Sequence, residues 1–477
     1  MKLIGADFVN AEDRGQFVVE VELGPGTSLD ETSKLSARAE DEYRKNPEVR
    51  TLLATIGPLG EVNKARWRVI TSPKNQRTVG LPALKNDARE VLRRVLPDAK
   101  VIITDPPFVE GAAAEAPIMI NVRGEDYGEI LPVARKIGDI LKATGAVQDI
   151  NVRYSAGRPE LRVAIERERA ADRGLEVAPL AMALRGAMEG DEAGQLRVGG
   201  DQTPIRVRLQ KSDRERPEDL ARVQLMTPKG PVRLGDVARF SRGEGVQVIE
   251  REDRSRQIAV WGTPMRPLGD IVAEIKPKIA ALKLPAGGSI FYDGFIRLMN
   301  ENNVAMGTAL LLGALFIFII LASQFESFIH PLTIMLTLPL AIVGAVLGLF
   351  LSHNSLTMSS MIGIILLMGL VTKNGILLVD RAIVRVRDYG ESPLQAVLEA
   401  GPERLRPILM TSAAMVMGML PTATGTGEGS EFRAPMAIAV IGGLVSSTFL
   451  SLVVVPVFYL AVENAKTRIR RWTGRSE

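Results

Sequence analysis

The stretch 360–380, SMIGIILLMGLVTKNGILLVD, restricts what this chain can fold into more than any other. It is apolar over the roughly 20 residues a helix needs to cross the hydrocarbon core of a bilayer. Lys373 stands in its middle, followed by Asn374. A lysine at mid-membrane costs about 2.5–3.5 kcal/mol on insertion scales, and such residues mark ion or proton routes. A carboxylate inside the helix bundle would offset that cost, but no Asp or Glu lies in any apolar core of the chain. The nearest, Asp380, is roughly 10 Å further along the helix at 1.5 Å per residue. The chain therefore holds one charge of a pair and lacks the other.

Five apolar runs are present: about 304–322, 332–351, 361–379, 407–424 and 434–460. Each predicts a transmembrane helix. Pro339, Pro421 and Pro456 are tolerated there, because neighbouring helices re-satisfy the freed backbone groups. Gly344 and Gly348 permit a close helix contact, and Gly363, Gly369 and Gly375 place small residues for packing along the lysine-bearing span. Arginines 381, 385, 387, 404 and 406 fill the interval between the third and fourth runs. Lys466 and four arginines crowd the tail, whereas intervals 352–360 and 425–433 hold only Arg433. The positive-inside rule puts the basic segments in the cytoplasm and residues 1 to about 300 on the opposite side. The amino end carries no signal-peptide pattern, so that orientation requires a preceding span; a cytoplasmic domain on a membrane tail is the alternative.

Several function classes are excluded. The chain has no cysteine, and its two histidines, His330 and His353, sit between apolar runs, so neither a disulfide framework nor a thiolate or histidine metal cage is expected. A net charge of +4 without a basic, aromatic-laced stripe argues against nucleic acid. Gly199-Gly200 lacks a following P-loop lysine, and Glu166–Arg169 is the alternating charge of a solvated helix face. No nucleophile–base pair is visible, so neither an enzyme nor a cofactor is predicted.

The soluble part is an α+β arrangement. Strands at 17–22, 49–55, 66–71 and 99–104 alternate with helices from Thr27 or Ser28 through 43 and over 83–95. That order is a split βαβ sandwich, ferredoxin-like in type. A second such unit starts with strand 118–122, helix 127–142 and strand 147–154, and ends with strand 257–261, helix 268–282 and strand 289–292. Between its halves lies an insertion with strand 161–165, helix 170–188, short strands near 196–198 and 204–209, and strand 232–237. The predicted domains are 1–113; 114–158 with 252–296; the insertion 159–251; five helices over 297–465; and a basic tail, 466–477.

GLVTKNGILLVD, RLRPILMTSAA and DFVNAEDRGQFVVEVELGPGTSLDET together resemble inner-membrane pumps of the resistance–nodulation–division superfamily, most closely its acriflavine-resistance multidrug branch. The resemblance runs the whole chain and matches the second half of a twelve-span pump. It implies proton-driven export of amphipathic small molecules from the bacterial inner membrane. Lys373 would pair with two aspartates carried by the absent first half, with Asn374, Arg404 and Thr411 as further relay positions. From the residues alone, Arg404 equally suits an interfacial anchor, and Thr411 a hydroxyl bonded to its preceding turn. The modules would be porter subdomains and the insertion a docking domain, in a homotrimer working with a periplasmic adaptor and an outer-membrane channel. Leu53, Trp67 and Phe108 would line the substrate cleft, although the segment 53–67 is poor in aromatics and Trp67 equally suits a sheet core. Heavy-metal export ranks lower, for want of Cys and of His in the soluble part, with methionines left as ligands. Export of lipids or protein segments competes with these readings, as does a membrane-anchored scaffold or receptor.

Overall fold

The computed structural model describes residues 4–10, 12–106, 116–154, 157–214, 216–227, 229–245, 248–425 and 427–472. The chain divides into two compact units, residues 155–249 and everything else.

The larger unit opens with β1 (Gln16–Glu22), α1 (Leu29–Tyr43), β2 (Val49–Ile56), β3 (Lys64–Thr71), α2 (Leu81–Val95) and β4 (Lys100–Thr104). Alternation in QFVVEVE turns Phe17, Val19 and Val21 inward, as the two-residue period of a strand dictates. Ser28 caps α1, its Oγ accepting from the Glu31 amide at 3.2 Å. The strands pair antiparallel in the order β2-β3-β1-β4. Their inner face packs Phe17, Trp67, Val69 and Ile103 against Tyr43, Leu84 and Leu92 of the helices.

A second module begins with β5 (Ile118–Gly124), α3 (Tyr127–Ala143) and β6 (Val147–Val152). The smaller unit follows: β7 (Arg158–Ile165), α4 (Arg167–Asp172), α5 (Val177–Met188), β8 (Asp191–Val198), β9 (Asp201–Val207), α6 (Pro217–Arg222), β10 (Gln224–Thr227), β11 (Gly230–Arg233), α7 (Leu234–Val237) and β12 (Ala238–Gly245). Two expectations change there. The helix expected over 170–188 is two helices, because the chain turns at Gly174 with φ +72°. The strand expected over 232–237 ends at Arg233 and gives way to the helical turn α7. Gly199 and Gly200, at φ +60° and +95°, make the β8–β9 hairpin turn, which demands that left-handed geometry. β13 (Arg251–Glu252), β14 (Ser255–Pro264), α8 (Leu268–Ala280) and β15 (Ser289–Asp293) then complete the second module. Its strands lie in the order β6-β14-β5-β15, the same succession as in the first. A buried ion pair joins the modules: Arg89 on α2 donates to both oxygens of Asp149 on β6, at 3.2 and 2.7 Å.

Gly294 links β15 directly to the first long apolar helix, and a Cβ there would lie 2.3 Å from the Ala116 carbonyl oxygen. The helices are α9 (Phe295–Phe325), α10 (Ile329–Met335), α11 (Thr337–Leu351), α12 (Met358–Asp388), α13 (Pro393–Ala423) and α14 (Ser430–Trp472). The run 332–351 breaks between α10 and α11 near Leu336, where Pro339 cannot donate to the preceding turn. Among the described residues four helical stretches are long and apolar enough to cross a membrane: Phe295–Phe325, Ile329–Leu351, Met358–Asp388 and Ser430–Ala465. The expected fourth span, on α13, is not among them. Its helix is long enough, but Arg404, Arg406, prolines and hydroxyls dilute the apolar run.

Helix α14 packs against α11, α12 and α13. Gly344 and Gly348 of α11 meet Gly442 of α14 backbone to backbone, the close approach that small residues allow. The segment before β1 ties the soluble modules to the bundle. Leu356 and Met358 donate backbone bonds to Gly5 and Phe8, Gly269 donates to Ala6, and Lys74 pairs with Glu431 at 2.5 Å. The turns before α12 and α14 therefore lie beside the soluble modules. The arginine-rich end of α12 lies about 45 Å away along a 31-residue helix.

Candidate functional site

Helix α12 presents two chemically distinct faces. Gly363, Ile364, Leu367, Val371, Asn374, Gly375, Leu378, Val379 and Ala382 are buried against the other helices. Ile362, Leu366, Gly369, Lys373 and Asp380 form an exposed stripe at helical spacing. Lys373 thus projects from a side of the bundle that this chain leaves open, and among the described residues it has no ion-pair partner. Gly369, one turn before it, has nothing within 4 Å of where a Cβ would sit. The neighbouring α9 is also uncovered: only 6% of its most apolar window is buried, against 56% for α12.

Asn374 is offset from Lys373 by one residue, about 100° around the helix, and points inward at 2% exposure. Its amide Nδ2 donates to Ser412 Oγ of α13 at 3.4 Å and to Thr448 Oγ1 of α14 at 3.3 Å. The two hydroxyls are 2.9 Å apart, and Thr448 donates onward to the Leu444 carbonyl at 2.7 Å. Asn374 Oδ1 is buried without a hydrogen-bond partner. The hydroxyl proposed from sequence, Thr411, is half-buried and donates to the Ile408 carbonyl of its own preceding turn at 3.2 Å. Arg404 is half-buried, with its Nε unpartnered. No hydrogen bond or ion pair joins Lys373, Arg404 and Thr411 among the described residues. The structure instead gathers Asn374, Ser412 and Thr448. The only sequence signal for the latter two was the presence of hydroxyls inside apolar runs.

At the far end of α12, Arg381 and Arg385 bridge to α13. Glu403 accepts from Arg381 at 2.6 Å and from Arg385 at 2.5 Å, and Arg385 also meets Glu391 at 2.9 Å and Glu399 at 3.2 Å. These arginines of the basic interval thus fasten the α12–α13 connection.

The expected substrate-lining residues separate. Trp67 is fully buried in the first module's core, its indole donating to Ser36 Oγ at 2.9 Å, so it lines no accessible surface. Leu53 is 61% exposed on β2. Phe108 lies outside the described residues. No group of three or more His, Cys, Asp or Glu is arranged to hold a metal among the described residues.

A profile of the AcrB/AcrD/AcrF family matches residues 1–463. The chain is 26% identical over 96% of its length to the cobalt-zinc-cadmium resistance protein CzcA of Cupriavidus metallidurans, covering 45% of that protein. It is 28% identical to the nickel and cobalt resistance protein CnrA of the same organism, over 99% of this chain and 45% of that one. Protein HelA of Legionella pneumophila is 29% identical, over 99% of this chain and 46% of its own length. A crystal structure of a heavy metal efflux pump superposes with a TM-score of 0.85 at 27% identity, covering 97% of this chain and 49% of that one. The chain spans about half the length of the curated relatives it matches.

Proposed function

From the premise that this chain belongs to the AcrB/AcrD/AcrF family, we propose that it is the second half of a proton-driven export pump of the bacterial inner membrane. One observation carries the reading: a lysine midway along an apolar helix, on the face this chain leaves open, with no ion-pair partner among the described residues. The first half of such a pump would supply the acidic pair. When those carboxylates are ionised they hold Lys373. Protonation weakens the attraction, and the two half-bundles shift. The buried Arg89–Asp149 pair and the segment before β1 then carry the shift into the soluble modules. In this reading those modules are ferredoxin-like porter subdomains on the periplasmic side. Residues 155–249 dock to an outer channel, α13 completes five spans, and the pump works as a trimer with a periplasmic adaptor.

The substrate class supported best is the divalent transition-metal cation. Its support is the similarity to the metal-resistance proteins CzcA and CnrA and to the superposed heavy metal efflux pump. The drug-export expectation loses its aromatic anchor, since Trp67 belongs to the core. Substituting Lys373→Met tests the coupling: Co2+ and Zn2+ tolerance in cells relying on this pump should fall to the level of cells without it. Undiminished export by that variant would end the proton-coupled reading. Survival on lipophilic dyes but not on Co2+ or Zn2+ would overturn the metal assignment alone.

A further inference from the structure

Every buried residue on the inner face of α12 from Gly363 to Ala382 is apolar or glycine, apart from Thr372 and Asn374. Thr372 spends its hydroxyl on the Gly369 carbonyl of its own helix, at 3.1 Å. Close packing of Gly363 and Leu367 against α14 and of Gly375 against α10 limits how far α12 can turn, and directional bonds at the level of Lys373 set its angle within that range. Among the described residues of the apolar stretch 363–379, Asn374 alone makes side-chain bonds to other helices, two of them at once, while Arg381 and Arg385 tie the same helix to α13 about two to three turns further on.

The protons in the cluster run one way. Thr448 has a single hydroxyl proton, committed to the Leu444 carbonyl. Ser412 must therefore donate across the 2.9 Å contact to Thr448, and both oxygens accept from the Asn374 amide. As oriented, one Asn374 N–H is shared between the two hydroxyl oxygens and reaches both α13 and α14; the reversed amide would accept from Ser412 alone and lose the contact to Thr448. The chain of bonds leads from α12 through α13 to the backbone of α14, the helix on which α11, α12 and α13 all pack.

From this we propose that Ser412 and Thr448 are positioning residues for Lys373. They lock the azimuth of α12 through Asn374, and so fix where the ammonium of the adjacent residue projects from the open face. The lever is long. An extended lysine places its nitrogen roughly 8 Å from the helix axis, so a turn of about 15° moves the charge by about 2 Å. That displacement separates an ion-paired geometry from a broken one. The inference rests on the coupling role proposed for Lys373, and assigns Ser412 and Thr448 to it through Asn374.

The test compares Thr448→Val, which keeps the shape and removes the hydroxyl, with Thr448→Ser, which keeps the hydroxyl. Ser412→Ala is the second disruption. Ser447→Ala is the control, since among the described residues that buried hydroxyl bonds the Leu444 carbonyl of its own helix, at 3.0 Å, and no other helix. Co2+ export by the pump containing this chain is measured for maximal rate and KM. Thr448→Val and Ser412→Ala should lower the rate about five- to tenfold, the worth of one or two buried hydrogen bonds, with KM unchanged. Thr448→Ser and Ser447→Ala should match the parent. A second readout avoids transport. The chain has no cysteine, so spin labels at Leu366→Cys on α12 and Met417→Cys on α13 report the rotation of α12. Their distance distribution should broaden in the Val and Ala variants and recover with Thr448→Ser. An unchanged rate, a change confined to KM, or an unbroadened distribution overturns the positioning role. Normal export by Lys373→Met would instead remove the coupling reading beneath it, so the two failures are distinguishable.

Discussion

Gly344→Ala is the sharpest test of how this bundle is held together. A Cβ on Gly344 would lie 2.2 Å from Ser446 Cβ and 2.7 Å from the Gly442 carbonyl oxygen. Neither atom is the far end of a flexible side chain. Carbon atoms rest at about 3.5–4.0 Å, so α11 and α14 must part by more than about 1 Å along their closest line. Overpacking of this kind costs about 1–3 kcal/mol, and this contact belongs at the upper end because backbone must move. Alanine's helix preference over glycine returns about 1 kcal/mol. The net loss is then about 2 kcal/mol, or roughly thirtyfold in the folding equilibrium at 1.4 kcal/mol per decade. Gly369→Ala is the matched control, because nothing lies within 4 Å of the position its methyl would take. It should leave stability unchanged or raise it by up to about 1 kcal/mol. The assay is reversible unfolding of the purified chain in mixed micelles by SDS titration, followed by circular dichroism. Equal stability of the two variants would refute the packing argument, because only one of them meets a neighbouring helix.

Burial, reinforced by the nearby Asp270 charge, pushes the Asp7 carboxyl up to about 6, against opposing hydrogen bonds from the Phe8 and Leu268 amides. A carboxyl raised above its unfolded value favours the protonated fold. Stability should therefore fall as pH rises from about 4 to about 6 and level off above that. Asp7→Asn should flatten the curve and stabilise the protein above pH 6 by at most about 3 kcal/mol, read from unfolding midpoints between pH 4 and 8. Arg89→Met leaves the Asp149 carboxylate buried and unpaired, and should cost about 3–5 kcal/mol in the same assay. Adding Asp149→Asn should restore most of that, since asparagine tolerates the φ of +52° found there.

The elements legible in the sequence were those with a strong period. Alternation in 17–22 located β1, and Thr27 or Ser28 announced the start of α1, the structure choosing Ser28. The repeated strand–helix–strand pattern assigned β14 to the same module as β5 across a unit of nearly a hundred residues, but which strands are hydrogen-bonded neighbours came from the structure. Trp67 shows the limit of residue type alone. Its value to a binding cleft and to a sheet core is the same in sequence, and only the register opposite Val19 decides for the core.

The membrane site divides along the same line. Cost alone singled out Lys373, since a charge in hydrocarbon needs a reason wherever it points. Phase did not follow, because adjacent residues sit about 100° apart and the apolar residues on either side of Thr372–Asn374 cover the whole circumference of the helix. Thr411 and Ser412 are neighbours on one helix, yet the first bonds its own turn and the second joins a network drawn from three helices. Sequence spacing relates residues on one helix; it cannot relate Asn374 to Thr448, 74 positions away. The division is itself informative about mechanism. Placing the charge and its anchor on consecutive residues makes the open-face lysine respond to any rotation that the buried amide permits. In the coupling proposed above, the charge changes partners while the helix that carries it stays in place, and this pair of residues would separate the two demands.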